Sequence, residues 1–184
     1  AHRIVLHPGT VGKLSRDKAM LLALPILAEA IRQADENGFG DITLCPEVLG
    51  KISNLGSLDE VLTMCALDDR MIPCIDFGHI HARSLGGLKT SEDYEAVFTA
   101  VENALGLERT QMLHIHFSRV EFTRAGERKH HTLQDTKYGP EFVHLARILL
   151  KKRIEPVIIC ESRDRMAEDA LLLKQIYEAE QALQ

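Results

Sequence analysis

Histidines and carboxylates recur at one kind of place in this chain. His7 closes the apolar run "RIVLH" (3–7), Glu47 closes "DITLCPE" (41–47), and Asp76 with His79 follows "MIPCI" (71–75). His114 and His116 lie in "TQMLHIHF" (110–117), and Glu161 closes "EPVIICE" (155–161). Three carboxylates and several imidazoles gathered in one place would repel each other or be costly to bury. A divalent cation removes that difficulty. Imidazole with carboxylate and no thiolate suits zinc, manganese or iron. The donor count exceeds what one catalytic zinc needs, so two or more ions are expected. Closely spaced ions activate water and stabilise a leaving oxygen in phosphodiester hydrolysis.

The elements that position these residues follow from hydrophobic rhythm. The five apolar runs are short and nearly continuous, as in strands buried on both faces of a parallel sheet. Helical patterns lie between them. One covers 14–36, with apolar positions from Leu14 to Ala34 and Gly38 beyond its end. A second opens at Ser57 with Glu60 three residues on, a capping-box spacing. A third covers 91–105, a fourth runs from Pro140 to about Lys152, and the last runs from about Arg165 to the C-terminus. Alternating strands and helices predict an α/β fold with parallel crossovers. All strand C-termini then share one face, where a (β/α) barrel builds its site.

Composition sets the outer bounds. The chain has 184 residues, is 45% hydrophobic and carries a net charge of −5, which suits one globular domain over 1–184. Cys45, Cys65, Cys74 and Cys160 form no CxxC pair and read as reduced core thiols of a cytoplasmic protein. No run is long enough to span a membrane, and no signal peptide, linker or repeat is visible. The acidic balance weighs against a nucleic-acid binder, but bound cations would offset Glu47, Asp76 and Glu161.

Six blocks in order carry a resemblance. "HPGT" (7–10), "PEVLGKISNLGS" (46–57), "CIDFGHIHARSLGG" (74–87), "HIHFSR" (114–119), "KHHT" (129–132) and "CES" (160–162) resemble the endonuclease IV family. These are metal-dependent apurinic/apyrimidinic endonucleases on a xylose-isomerase-like TIM barrel. The resemblance implies metal ligands at His7, Glu47, Asp76, His79, His114, His130 and Glu161, with Glu47 bridging two ions. It also implies catalytic roles for Glu47 and for Glu161, which helps orient the attacking hydroxide. Two or three zinc ions are implied, with manganese as the alternative, and abasic DNA as substrate and partner. Arg83, Arg119 and Arg124 are the expected phosphate contacts. His81 and His116 alternate with these ligands and read as supporting or structural side chains.

The chain departs from the family pattern at several places: the HLND-like block reads HIHF, with His116 and Phe117 in place of an amide and a carboxylate, and the loop after Glu47 is one residue shorter. Arg128 stands where the family has an aspartate two residues before the equivalent of His130, and Glu127 lies one residue earlier. Only five β/α units are readable, whereas a complete barrel has eight strands and about 250 residues. The expectation is a partial barrel, the C-terminal part of the fold, completed by more of its own chain or by another chain. Alone, it is expected to be inactive or weakly active. A different chemistry uses the same positions: a single-metal sugar isomerase or epimerase of the superfamily needs only Glu47, Asp76, His114 and Glu161.

Overall fold

A computed structural model describes residues 2–183. Its order is β1 (Arg3–Leu6), α1 (Arg16–Glu36), β2 (Thr43–Pro46), α2 (Leu58–Cys65), β3 (Cys74–Asp76), α3 (Phe77–Arg83), α4 (Ser91–Gln111) and β4 (His114–Phe117). Then come β5 (Arg119–Thr123), β6 (Gly126–His131), α5 (Phe142–Lys152), β7 (Val157–Cys160) and α6 (Met166–Gln181). β1 pairs in parallel with β2, and β3, β4 and β7 pair in parallel in that order. The Glu47–Cys74 bridge, Val48 N–H to Cys74 O (3.0 Å) and Ile72 N–H to Leu44 O (3.2 Å) join the two groups. The result is an open arc of five parallel strands, a partial (β/α) barrel. Among the described residues the outer sides of β1 and β7 pair with no strand.

Strand alternation divides the arc into two faces. Ile75, Ile115, Phe117 and Cys160 point outward and pack under the helices, against Val61, Tyr94, Phe98, Val101, Leu145 and Leu149. Phe77 is fully buried and stacks on Tyr94 at 5.2 Å between ring centroids. The opposite face carries Cys74 and Asp76 on β3, and His114 and His116 on β4. Four free cysteines are buried. No described helix is long and apolar enough to cross a membrane.

Local chemistry sets the helix boundaries. The Ser57–Glu60 capping box forms in both directions at the start of α2. Four boundaries differ from the sequence expectation. The third strand ends at Asp76, because the Asp76 side chain caps α3 and draws Phe77 onward into a helix. Hence His79 sits in the first turn of a helix. α4 continues past Gly106, whose φ of 84° kinks it, and so the fourth strand begins only at His114. Pro140 precedes α5, whose N-cap position is held by Glu141 without a side-chain capping bond. The charged stretch 118–131, which has no strand pattern in the sequence, forms an antiparallel hairpin, β5–β6, with a bulge between Glu121 and Phe122. Its polar sequence hid it: the hairpin folds back over the site and has little apolar alternation.

Candidate metal centre

Glu47 lies at the middle of the site and is 1% exposed. Its two oxygens face different partners. Oε2 is 2.9 Å from His7 Nε2, while Oε1 is 3.1 Å from His116 Nδ1. His116 Nδ1 is also 3.1 Å from Glu161 Oε1. Burial pushes the Glu47 carboxyl up, but bonds from His116 and His79 more than offset this and leave it well below the usual range. Glu161 is held low chiefly by its hydrogen bond with His116.

Asp76 supplies the test of whether this set suits a cation. Its side chain is fully buried, and Oδ1 accepts the His79 N–H at 2.7 Å as the helix cap. Oδ2 is buried with no hydrogen-bond partner. Burial, reinforced by the charges of Glu161 and Glu47, pushes this carboxyl above its usual range. The His79 ring is near, with Nδ1 at 3.5 Å, but its N–H is spent on Val48 O, and a buried acceptor without a hydrogen bond is costly. A divalent ion among Glu47, Asp76 and Glu161 would satisfy it, so the donor set fits.

A second set adjoins the first. His79 Nδ1 lies 2.9 Å from Val48 O, which can only accept, so Nδ1 carries the proton. In the neutral ring Nε2 is then a bare lone pair. It faces His130 Nε2 at 3.2 Å and Glu127 Oε2 at 3.4 Å. His130 is oriented by Ser118 Oγ, 2.8 Å from its Nδ1, and its Nε2 is 3.6 Å from Glu127 Oε1. Anchoring one imidazole nitrogen so that the other is presented is the usual outer support of a metal-ligating histidine. Gly50 makes the approach possible: a Cβ there would lie 2.5 Å from Glu127 Cβ and 3.0 Å from His79 Cδ2.

The structure thus gathers His7, Glu47, Asp76, His79, His130 and Glu161 from the sequence-derived set. It places His114 elsewhere. His114 sits two residues before His116 on β4, beside Cys74, and it is His116 that touches Glu47 and Glu161. Residues two apart on a strand share a face, so spacing alone could not choose between them; depth in the arc does. Glu127 reaches the site although Arg128 holds the expected aspartate position. The bulged hairpin and the extra methylene of glutamate cover the one-residue offset.

Two of the three expected phosphate contacts are engaged elsewhere. The Arg83 guanidinium donates to Leu49 O (3.1 Å), Lys51 O (2.9 Å) and Asn54 O (3.4 Å), clamping the loop after β2. Arg119 makes a bidentate pair with Glu141 (2.7 Å each) and donates to Tyr138 O. Arg124 lies exposed in the hairpin turn. Lys129 and Arg163 instead line an open hollow of about 550 Å³ with His130, Glu161 and Ser162. His81 is a buried packing residue set edge-on to Phe122 at 5.6 Å.

Comparison with known proteins follows the same lines. Residues 1–182 match a family described as "Xylose isomerase-like TIM barrel". A Methanocaldococcus jannaschii protein, MJ0133, is 30% identical over 174 residues, covering 95% of this chain and 62% of its own length. A probable endonuclease 4 of Oceanobacillus iheyensis is 28% identical over 126 residues, covering 66% of this chain and 40% of its own. Among solved structures, a D-tagatose 3-epimerase-like protein superposes with a TM-score of 0.70 at 16% identity, over 97% of this chain and 63% of its own, a likeness of fold alone. The chain therefore spans less than two thirds of the length of these relatives.

Proposed function

This chain belongs to the xylose isomerase-like TIM barrel family, and from that premise we propose that its site serves metal-dependent phosphodiester hydrolysis at abasic positions in DNA. One observation carries the reading. The His79–His130–Glu127 set stands beside the Glu47–Asp76–His116–Glu161 set, and a one-metal sugar site has no need of it. The sequence similarity to a probable endonuclease 4 supports the same choice.

The residues divide the work as follows. Glu47, with oxygens addressed to His7 and to His116, joins the two halves of the carboxylate set. Asp76 Oδ2, His116 and Glu161 complete one half. His79, His130 and Glu127 form the adjoining set. Imidazole and carboxylate donors favour zinc, with manganese as the alternative. Bound divalent ions would supply charge for the phosphate oxygens and acidify an attacking water. Glu161, facing the open hollow, is placed to accept a proton from that water and hold it in line. Lys129 and Arg163 flank the same hollow and would bind the phosphates next to the lesion.

Metal content and strand cleavage on the complete protein test this together. Two or three zinc-like ions per chain, with nicking of a duplex at an abasic site and none of an intact duplex, are expected. A single ion with turnover of a ketose and no nicking would instead support a sugar isomerase or epimerase using Glu47, Asp76, His116 and Glu161. The structural likeness to an epimerase-like protein makes that the second reading.

A further inference from the structure

Below the carboxylates, the inner face of the arc carries a second layer of donors of different chemistry. Cys74 stands two residues before Asp76, and His114 two before His116. The β3–β4 register pairs Cys74 with His114 and Asp76 with His116. Alternation therefore stacks two pairs on one face: carboxylate with imidazole above, thiol with imidazole below. Ligand atoms of Cys74, His114 and His116 all lie within 4.8 Å of one another. Donors around a tetrahedral ion sit about 3.5 Å apart, so small side-chain adjustments would close this set.

Three features distinguish the layer from ordinary core. Cys74 is buried and free like the other three cysteines and packs with Cys45 and Ile72, but it is the cysteine that has two imidazoles beside it. His114 is 7% exposed, and its Nδ1 is buried with no hydrogen-bond partner. A buried imidazole nitrogen without a partner is costly, and unlike His81, whose ring packs edge-on to Phe122, His114 has a thiol and a second imidazole beside it. His116 belongs to both layers: its Nδ1 meets Glu47 and Glu161, while the ring also reaches Cys74.

We propose that Cys74, His114 and His116 form a distinct inner metal site that takes one thiophilic ion of the zinc or copper(I) class. One thiolate and two imidazoles are a soft donor set that hard cations such as magnesium or calcium do not favour. Three protein ligands leave one coordination position open. Binding displaces to solvent the Cys74 thiol proton and any proton on the His114 and His116 nitrogens that take the ion, and the thiolate charge is neutralised by the ion. Because His116 is shared, filling the inner site orients the imidazole presented to the carboxylates above. None of this depends on whether the upper centre acts on DNA or on sugars.

Cobalt(II) alone, titrated into the full, metal-free chain, tests the site. A thiolate-to-cobalt charge-transfer band in the near ultraviolet is expected, saturating at one ion per chain. Cys74→Ser should abolish it. His114→Gln should weaken the ion that gives it by about tenfold or more. Cys160→Ser should leave it in place, because Cys160 faces the outer core. Absence of the band while visible cobalt bands show the upper centre filling would overturn the proposal. So would a band that Cys74→Ser leaves intact. If Cys74→Ser does not fold, alkylation followed by peptide mass spectrometry on the wild-type chain decides. Cobalt should then protect Cys74 selectively over Cys45, Cys65 and Cys160, and His114→Gln should remove the protection. Equal labelling of Cys74 with and without cobalt would sink the site. Loss of abasic-site cleavage would leave the band unchanged, so the two readings fail separately.

Discussion

His79 and His130 face each other Nε2 to Nε2 across 3.2 Å, one ring on a helix and the other on a hairpin strand. Val48 O fixes the proton on His79 Nδ1, and Ser118 Oγ holds His130. Two imidazoles at this distance need a shared proton or cation between them. Glu127, within 3.6 Å of both, supplies the countercharge for either.

Metal binding should therefore release protons. Burial lowers the affinity of His79 for its proton, but Asp76 and then Glu47 more than offset this and raise its pKa to about 10. The metal-free ring is charged at neutral pH and must lose a proton to become a ligand. Apparent metal affinity should rise with pH between about pH 6 and 9. Calorimetry in two buffers of different ionisation enthalpy should show proton release on binding. A flat pH profile would remove His79 from the ligand set.

Glu47→Gln removes the carboxylate that faces both His7 and His116. Retained metal should fall by at least one ion per chain, read by elemental analysis. Turnover on the substrate that the complete protein uses should drop by about a hundredfold or more, since even outer-shell changes cost ten- to a hundredfold.

Gly50→Ala separates the two donor sets. The new methyl would meet Glu127 Cβ and the His79 ring, pushing the hairpin away from α3. The expected outcome is one metal ion fewer per chain, with the carboxylate set still loaded. Unchanged stoichiometry would mean that Glu127 and His79 do not hold an ion together.

Phe77→Ala tests how the outer core supports the site. Phe77 is fully buried against Tyr94 and Phe98, and it directly follows Asp76. Its truncation should cost about 3–4 kcal/mol, read by urea denaturation. Metal affinity should fall with it, because α3 carries His79.

Acid should unfold the chain partly through Glu60. Burial raises this carboxyl, but Arg16 and the backbone N–H groups of Ser57 and Gly56 outweigh it and lower its pKa to about 2. The folded value lies below the unfolded one, so the stabilisation is present above about pH 4.5 and is lost as pH falls towards 2. Glu60→Gln should cost roughly 2 kcal/mol at neutral pH and flatten the stability curve between about pH 5 and 2.

The sequence by itself determined the alternating strands and helices and the polar residues at the strand ends. These follow from local rules: apolar runs, caps such as Ser57–Glu60, and the period of two that keeps His114 and His116 on one face. The same period is why the sequence could not choose between those two histidines. That choice rests on how far each strand slides past its neighbour, a non-local quantity set when β3 and β4 pair. The hairpin at 119–131 was equally hidden, since its polar strands gain their order by packing Val120 on Gly78 of α3 and Glu127 on Gly50 of the loop after β2. Its bulge is what carries Glu127 to His79. Arg83 and Arg119 had the right charge for phosphate, and only the folded chain shows their donors spent on carbonyls and on Glu141. Residue type follows from sequence; depth, register and which hydrogen bonds are already satisfied are decided by tertiary packing.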